Sequence, residues 1–279
     1  MSRRPRVDLD AFPRAPTHAA WLKLSEEERR RVVAALPDEV TDAEMSPPEG
    51  DLHFQAKLSA LDTLRGHFRR KRKAVYLACE LPVYYPGERR FAPDLLAVVG
   101  VEDKVRGKWV VDAEGKGLDV VMEVHVGGDR KKDAVDNVER YARLGIPEYF
   151  IFDRNVPSLS AYRLAARRKK YVPIVPQHGR YRCERLELDL QVEDGKLRFY
   201  DGNALLLETS ELAERLERMV DDLQTRLDEE KARREEETRR REEETRRREE
   251  ETRRREEETR RREVAERRVA ELERQLKKK

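Results

Sequence analysis

Two carboxylates sit inside otherwise apolar runs, and they limit what this chain can become. Asp94 follows Pro93 at the head of Leu95-Leu-Ala-Val-Val-Gly100, and Glu123 lies in the middle of Val120-Val-Met-Glu-Val-His-Val126. A buried strand rarely tolerates a carboxylate unless it is paired or binds a cation. The basic cluster Arg130, Lys131 and Lys132 comes shortly after the second run. Two such carboxylates and a basic cluster are the raw material of a divalent-metal site for phosphodiester chemistry.

Alternation in β structure puts Val121, Glu123 and His125 on one face of their strand, and Met122 and Val124 on the other. If the strand headed by Asp94 pairs with it, both carboxylates can converge on one cation. Mg²⁺ takes one or two carboxylates and completes its octahedron with water and substrate phosphate. Such an ion stabilises an in-line displacement and activates its water. Spacing alone favours a plainer account, in which a carboxylate at a strand edge pairs with Arg90 or Lys132.

The surrounding pattern is α/β. Ser25 with Glu28 forms a capping box for a short helix that ends at Leu36-Pro37. Phe54, Leu58, Leu61, Leu64 and Phe68 repeat at three and four, which predicts a helix over about 51–71 with those residues inward. Its basic end, Arg69, Arg70, Lys71 and Arg72, suits a helix C-terminus and equally a phosphate contact. Three strands are expected next, at 74–85, 94–101 and 118–126, with a hairpin-like excursion and a short strand near Lys108 between the last two. Gly127-Gly128 turns the chain, and Val135, Val138, Tyr141, Ala142 and Leu144 give the following helix an apolar face. Gly145 and Pro147 stop that helix before a strand, Tyr149 to Asp153. Strand, helix and strand in that order make a βαβ crossover, so part of the sheet is parallel. Alternating segments from Leu159 to Tyr200 predict a terminal β-meander.

Composition removes several classes. Two cysteines, Cys79 and Cys183, have neither C-x-x-C spacing nor a paired His cluster, which argues against a disulfide framework or a zinc site. No run has the length of a membrane span or of a signal-peptide core, so a soluble, cytoplasmic protein is expected. The net charge of +3 is small for a chain that is 43% charged, so it does not by itself point to nucleic acid.

Pro93-Asp94, then Glu123-Val124-His125, and then a helix running into YARLGIPEYFIFD resemble the PD-(D/E)XK nuclease superfamily. More narrowly, they resemble its Uma-type restriction-endonuclease-like family. The likeness spans about Asp51 to Asp201, and YARLGIPEYFIFD is its most specific part. It implies a restriction-endonuclease-like mixed β-sheet flanked by helices, and hydrolysis of a nucleic-acid phosphodiester with Mg²⁺ or Mn²⁺. The partner it implies is nucleic acid, in the first place DNA. Asp94 and Glu123 then become the metal ligands, and a lysine assists the attacking water. Here the chain departs from the pattern: His125 stands two residues after Glu123, and Asn137 stands where many Uma-type members carry a helix lysine. Lys131, Lys132 and His125 remain as catalytic candidates, with Arg69, Arg70, Lys71, Arg72 and Arg130 as nucleic-acid contacts. The competing reading is a degenerate nuclease fold that binds nucleic acid or acts as a scaffold.

The chain divides into an N-terminal arm with a short helix (1–50), the nuclease-like domain (51–205) and a long charged helix or coiled coil (206–279). The last contains REEETRR four times, from Arg234 to Arg261. Glutamates precede arginines by four residues there, the favourable orientation for helical ion pairs. With Val220 and Leu227 at a, and Leu216 and Leu223 at d, the middle of the seam holds Arg and Glu. Apolar residues return only at Ala265, Val269, Leu272 and Leu276. A polar seam cannot drive a stable coiled coil, so a single solvated helix is expected, with a homodimer formed either through the nuclease-like fold or through the ends of this helix. Circular dichroism of a peptide covering 228–262 should show high helicity that falls in strong salt as the ion pairs are screened. A cooperative, salt-insensitive dimer melt is the contrary result.

Overall fold

The strands that carry the two carboxylates are apolar on both faces because both faces are covered. The computed structural model describes residues 13–39, 50–126, 135–165 and 169–276. In it β3 (Leu95–Val99) pairs antiparallel with β5 (Val120–His125), and β5 pairs parallel with β6 (Glu148–Asp153). Between β5 and β6 the chain passes through α5 (Asn137–Leu144), which Gly145 ends at φ 79°. The parallel strand–helix–strand unit expected from the sequence is therefore present. The Gly127-Gly128 turn lies outside the described residues. With β1 (Val75–Ala78), β7 (Ser158–Leu164) and β8 (Tyr171–Pro173) these strands form a mixed sheet in the order β1-β3-β5-β6-β7-β8.

One face of this sheet presents Leu95, Ala97, Val120, Met122, Val124 and Phe150. They pack against Ala56, Ala60, Leu64 and Phe68 of α3 (Gly50–Lys71). Leu188, Leu190 and Phe199 complete that core. They belong to a second sheet made of β9 (Tyr181–Cys183), β10 (Leu188–Glu193), β11 (Lys196–Asp201) and β12 (Ala204–Leu205). The other face holds Leu96, Val98, Val121, Tyr149 and Ile151, covered by Tyr141, Ile146, Trp109 and Tyr85. Continuous apolar runs are the natural outcome of such two-sided burial.

Four details differ from the sequence expectations. The run at 74–85 is two strands, β1 and β2 (Val83–Tyr84), separated by a kink at Glu80, whose φ is 51°. The excursion after Glu102 is not a hairpin. Its β4 (Trp109–Val110) pairs parallel with β2 and leads directly into the short helix α4 (Val111–Glu114). The meander is divided, with β7 and β8 joining the main sheet and β9 to β12 forming the second.

The fourth difference concerns α3, whose inward face is rotated from the one that large side chains suggest. Leu64 and Phe68 are buried, but Phe54 is 62% exposed and Leu58 is 51% exposed. The buried stripe is Ala56, Lys57, Ala60, Thr63, Leu64, His67 and Phe68. Small residues at 56 and 60 let the helix axis approach the sheet, and close packing outweighs the extra area of Phe54 and Leu58.

Before α3 the chain forms α1 (His18–Trp21) and α2 (Glu26–Ala35). The reciprocal Ser25–Glu28 capping box is present on α2. Ala15 and Leu36 are buried with Tyr84 and Val110, and the Tyr84 hydroxyl donates to Pro37 O at 2.8 Å.

Residues 1–212 and 213–279 form separate compact units. In the second, α6 (Thr209–Leu276) is one helix. Arg241–Glu237, Arg248–Glu244 and Arg255–Glu251 pair at 2.7, 2.7 and 2.6 Å, each glutamate four residues before its arginine. Thr238, Thr245, Thr252 and Thr259 return their hydroxyls to the carbonyl four residues back. No described helix is long and apolar enough to cross a membrane.

The rotation of α3 has a measurable consequence. Leu64→Ala should cost about 2–5 kcal/mol, as a large-to-small change in a packed core. Leu58→Ala should stay within about 0.5 kcal/mol of wild type. Urea unfolding midpoints compare the two, and similar losses would return Leu58 to the core.

Candidate active site

The β3–β5 ladder pairs Leu95 with Met122 and Leu96 with Val121. Continued by one step, the same register sets Asp94 across from Glu123. Directly opposed side chains on antiparallel strands have Cβ atoms about 4.5–5.5 Å apart, and like charges there repel. The fold holds this pair by a reciprocal clasp. Asp94 N donates to Glu123 Oε2 at 3.2 Å, and Val124 N donates to Asp94 Oδ2 at 2.8 Å. Each carboxylate thus caps the backbone of the opposite strand where the ladder ends, and both side chains are fixed in direction.

The remaining oxygens are oriented from two helices on different sides. From α5, the Tyr141 hydroxyl donates to Glu123 Oε1 at 2.6 Å. Tyr141 is buried edge-on against Tyr149, with ring centroids 5.0 Å apart. Burial, and then the neighbouring Glu123 charge, raise its phenol well above the ordinary value, so it stays a donor. From α3, His53 Nε2 lies 3.1 Å from Asp94 Oδ1 and Lys57 Nζ lies 3.7 Å from the same atom. Burial pushes the Asp94 carboxyl up. The His53 hydrogen bond and charge, the Val124 N–H and Lys57 outweigh it and hold the group below its ordinary value. With its side chain 16% exposed, Asp94 keeps an opening to solvent.

This donor set suits a hard divalent cation. Two carboxylates in fixed orientation, each with a second lone pair on every oxygen, match the one or two that Mg²⁺ takes beside water and phosphate oxygens. Among the described residues, no group of three or more His, Cys, Asp or Glu side chains could hold a metal by itself. Asp94 and Glu123 are the described residues that could hold such an ion.

The other expected site residues fall differently. His125 is buried two residues beyond Glu123 and stands opposite Asp153 in the β5–β6 register. Asn137 is buried at the first position of α5. Arg90 is turned toward the Tyr84 hydroxyl and Glu39 O. Arg130, Lys131 and Lys132 lie outside the described residues. Arg69, Arg70, Lys71 and Arg72 are exposed at the far end of α3, and at 1.5 Å per residue Arg69 is about 18 Å along the axis from Lys57. Lys71 pairs with Asp201 at 2.8 Å.

Three partners of the carboxylates were not read from the sequence. The sequence places Tyr141 on the apolar face of its helix, and its bond to Glu123 depends on how α5 lies over β5. His53 stands one residue before the apolar repeat of α3, and nothing in that spacing links it to Asp94. Lys57 was overlooked, although a signal existed: His53, Lys57, Ala60 and Leu64 follow helical spacing, and a lysine inside such a stripe needs a buried partner.

The Uma2 family model, described as "Putative restriction endonuclease", matches residues 22–195. Among solved structures, one from Anabaena variabilis, described as "a putative nuclease belonging to DUF820", aligns at a TM-score of 0.43 and 12% identity. The alignment covers 55% of this chain and 83% of that one. No curated protein matches the chain.

Tyr141→Phe tests the orientation of Glu123. Removing the hydroxyl leaves a buried carboxylate short of one donor, which should cost about 1–3 kcal/mol. The expected result is a lower denaturant midpoint with an unchanged m-value, and an unchanged midpoint would show that the bond contributes nothing.

Proposed function

The chain belongs to the Uma2 family of restriction-endonuclease-like proteins, and from that premise we propose that it is a metal-dependent endonuclease that hydrolyses phosphodiester bonds of DNA. The observation that carries this reading is the Asp94–Glu123 clasp, two carboxylates presented side by side at the open end of the β3–β5 ladder. Asp94 and Glu123 would hold Mg²⁺ or Mn²⁺. When bound, such an ion supplies charge stabilisation for an in-line displacement and a water of lowered pKa. Tyr141 and the Val124 N–H keep the two ligands in fixed orientation, which spares reorganisation when charge develops.

We assign the DNA contacts to the exposed arginines Arg69, Arg70 and Arg72, with Lys71 beside them, and to Arg130. The distance along α3 supports a role at phosphates flanking the cleaved bond rather than at the bond itself. His125, Lys131 and Lys132 are retained as candidates for handling the attacking water. The exposed Leu216, Val220, Leu223 and Leu227 of α6 support a further assignment, a homodimer formed through the ends of that helix. One observation favours a second reading, a nuclease fold that binds nucleic acid without cutting it: His125 and Asn137 occupy the positions where a lysine is expected.

Incubation of the full-length protein with supercoiled plasmid and Mn²⁺ or Mg²⁺ separates the two. Asp94→Ala and Glu123→Ala should each abolish nicking while thermal unfolding stays cooperative. Cleavage that persists unchanged in both variants would sink the assignment.

A further inference from the structure

No lysine stands two residues after Glu123, but one from another element lies beside Asp94 in space. Lys57 belongs to α3, outside the β5–α5 segment, yet its Nζ lies 2.5 Å from Glu80 Oε1 and 3.7 Å from Asp94 Oδ1. Its side chain is 8% exposed, and an ammonium is kept that dry only where its charge is matched. Among the described residues, Glu80 accepts a hydrogen bond from Lys57 and Asp94 is its ion-pair partner at 3.7 Å, so the ammonium has donor capacity for a further oxygen.

Glu80 is placed for this contact at a conformational cost. Its φ of 51° is left-handed, unfavourable for a residue with a Cβ, and such residues cluster at functional sites. Its N–H donates to Pro93 O at 2.9 Å, so the kink between β1 and β2 is clipped to the Pro-Asp step itself. A lysine present only to neutralise Asp94 would make its closest contact there. Here the closer partner is Glu80, whose side chain is 47% exposed, so the ammonium is held toward a carboxylate that faces solvent.

We propose that Lys57 is the lysine of this site, a fixed second cation beside the Asp94 ligand that faces the substrate phosphate, with Glu80 as its positioning residue. The assignment rests on the metal-dependent nuclease reading. In the hydrolysis, water forms a bond to phosphorus, one ester P–O bond breaks, and the proton the water loses balances the one the leaving oxygen gains. Lys57 makes and breaks no covalent bond in this sequence. Its charge stabilises the phosphoryl oxygens.

The test compares full-length wild type, Lys57→Met, Lys57→Arg and Asp94→Ala. Their Mn²⁺ affinities are measured by calorimetry, and their single-turnover plasmid cleavage at saturating Mn²⁺. Lys57→Met should lower the cleavage rate about 10²–10³-fold, the loss typical of one electrostatic stabiliser. It should also bind Mn²⁺ at least about threefold more tightly, because a competing positive charge is gone. Lys57→Arg should recover part of the rate. Wild-type cleavage by Lys57→Met overturns the proposal. So does a loss of Mn²⁺ binding equal to that of Asp94→Ala, which would make Lys57 a prop for the ligand. Should Lys57→Met not fold, Lys57→Gln takes its place under the same criteria. Wild type that binds Mn²⁺ without cleaving overturns the nuclease reading instead. Lys57 is then judged on the calorimetry alone, where an affinity no tighter than wild type overturns it.

Discussion

The structure turns on the exchange of backbone hydrogen bonds between Asp94 and Glu123. Two ionised carboxylates a few ångströms apart repel by about 4 kcal/mol at the effective dielectric constant typical near a protein surface. Against this stand the Asp94 N–H, the Val124 N–H and the Tyr141 hydroxyl. Each hydrogen bond to a charged group contributes about 1.5–3 kcal/mol. Three such donors, together with His53 and Lys57, outweigh the repulsion and make the site part of the fold. The requirement is strict, because losing a donor leaves a carboxylate that is buried and only partly satisfied.

Much of the architecture is arranged to deliver those donors. The parallel β5–β6 pairing requires a crossover, and α5 in that crossover lays Tyr141 over Glu123. On the other side, Ala56 and Ala60 bring α3 down onto the sheet, so that His53 and Lys57 reach the head of β3. The kink at Glu80 breaks what would otherwise be one long strand and places an acid beside Lys57. Packing and site chemistry are thus two results of the same few placements.

The second unit follows different physics. Its helix is held by local ion pairs on an exposed surface. Each such pair contributes only a few tenths of a kcal/mol. Many repeats of a small local term make a helix without a core, whereas in the first unit long-range burial sets the result.

The sequence by itself determined the α/β class, the βαβ unit around Glu123, the α2 capping box, the extent of α3 and the heptad helix. The capping box, the helices and the heptad repeat rest on interactions between residues a few positions apart, and the strands of the βαβ unit are signalled by local apolar patterns although β5 and β6 pair 28 positions apart. It also exposed Asp94 and Glu123, because a carboxylate in an apolar run has few ways to exist. Tertiary structure alone decided that the two stand opposite each other, that α3 turns Lys57 inward and Leu58 outward, and that Tyr141 meets Glu123. The choice of face on α3 was invisible because it depends on how closely a helix can approach a sheet. Large side chains advertise hydrophobicity, but small ones permit contact, and only the packed structure shows which effect prevails. Lys57 and Glu80 are 23 positions apart, and no local rule couples them. They meet because a helix and a strand kink converge on the same proline–aspartate step.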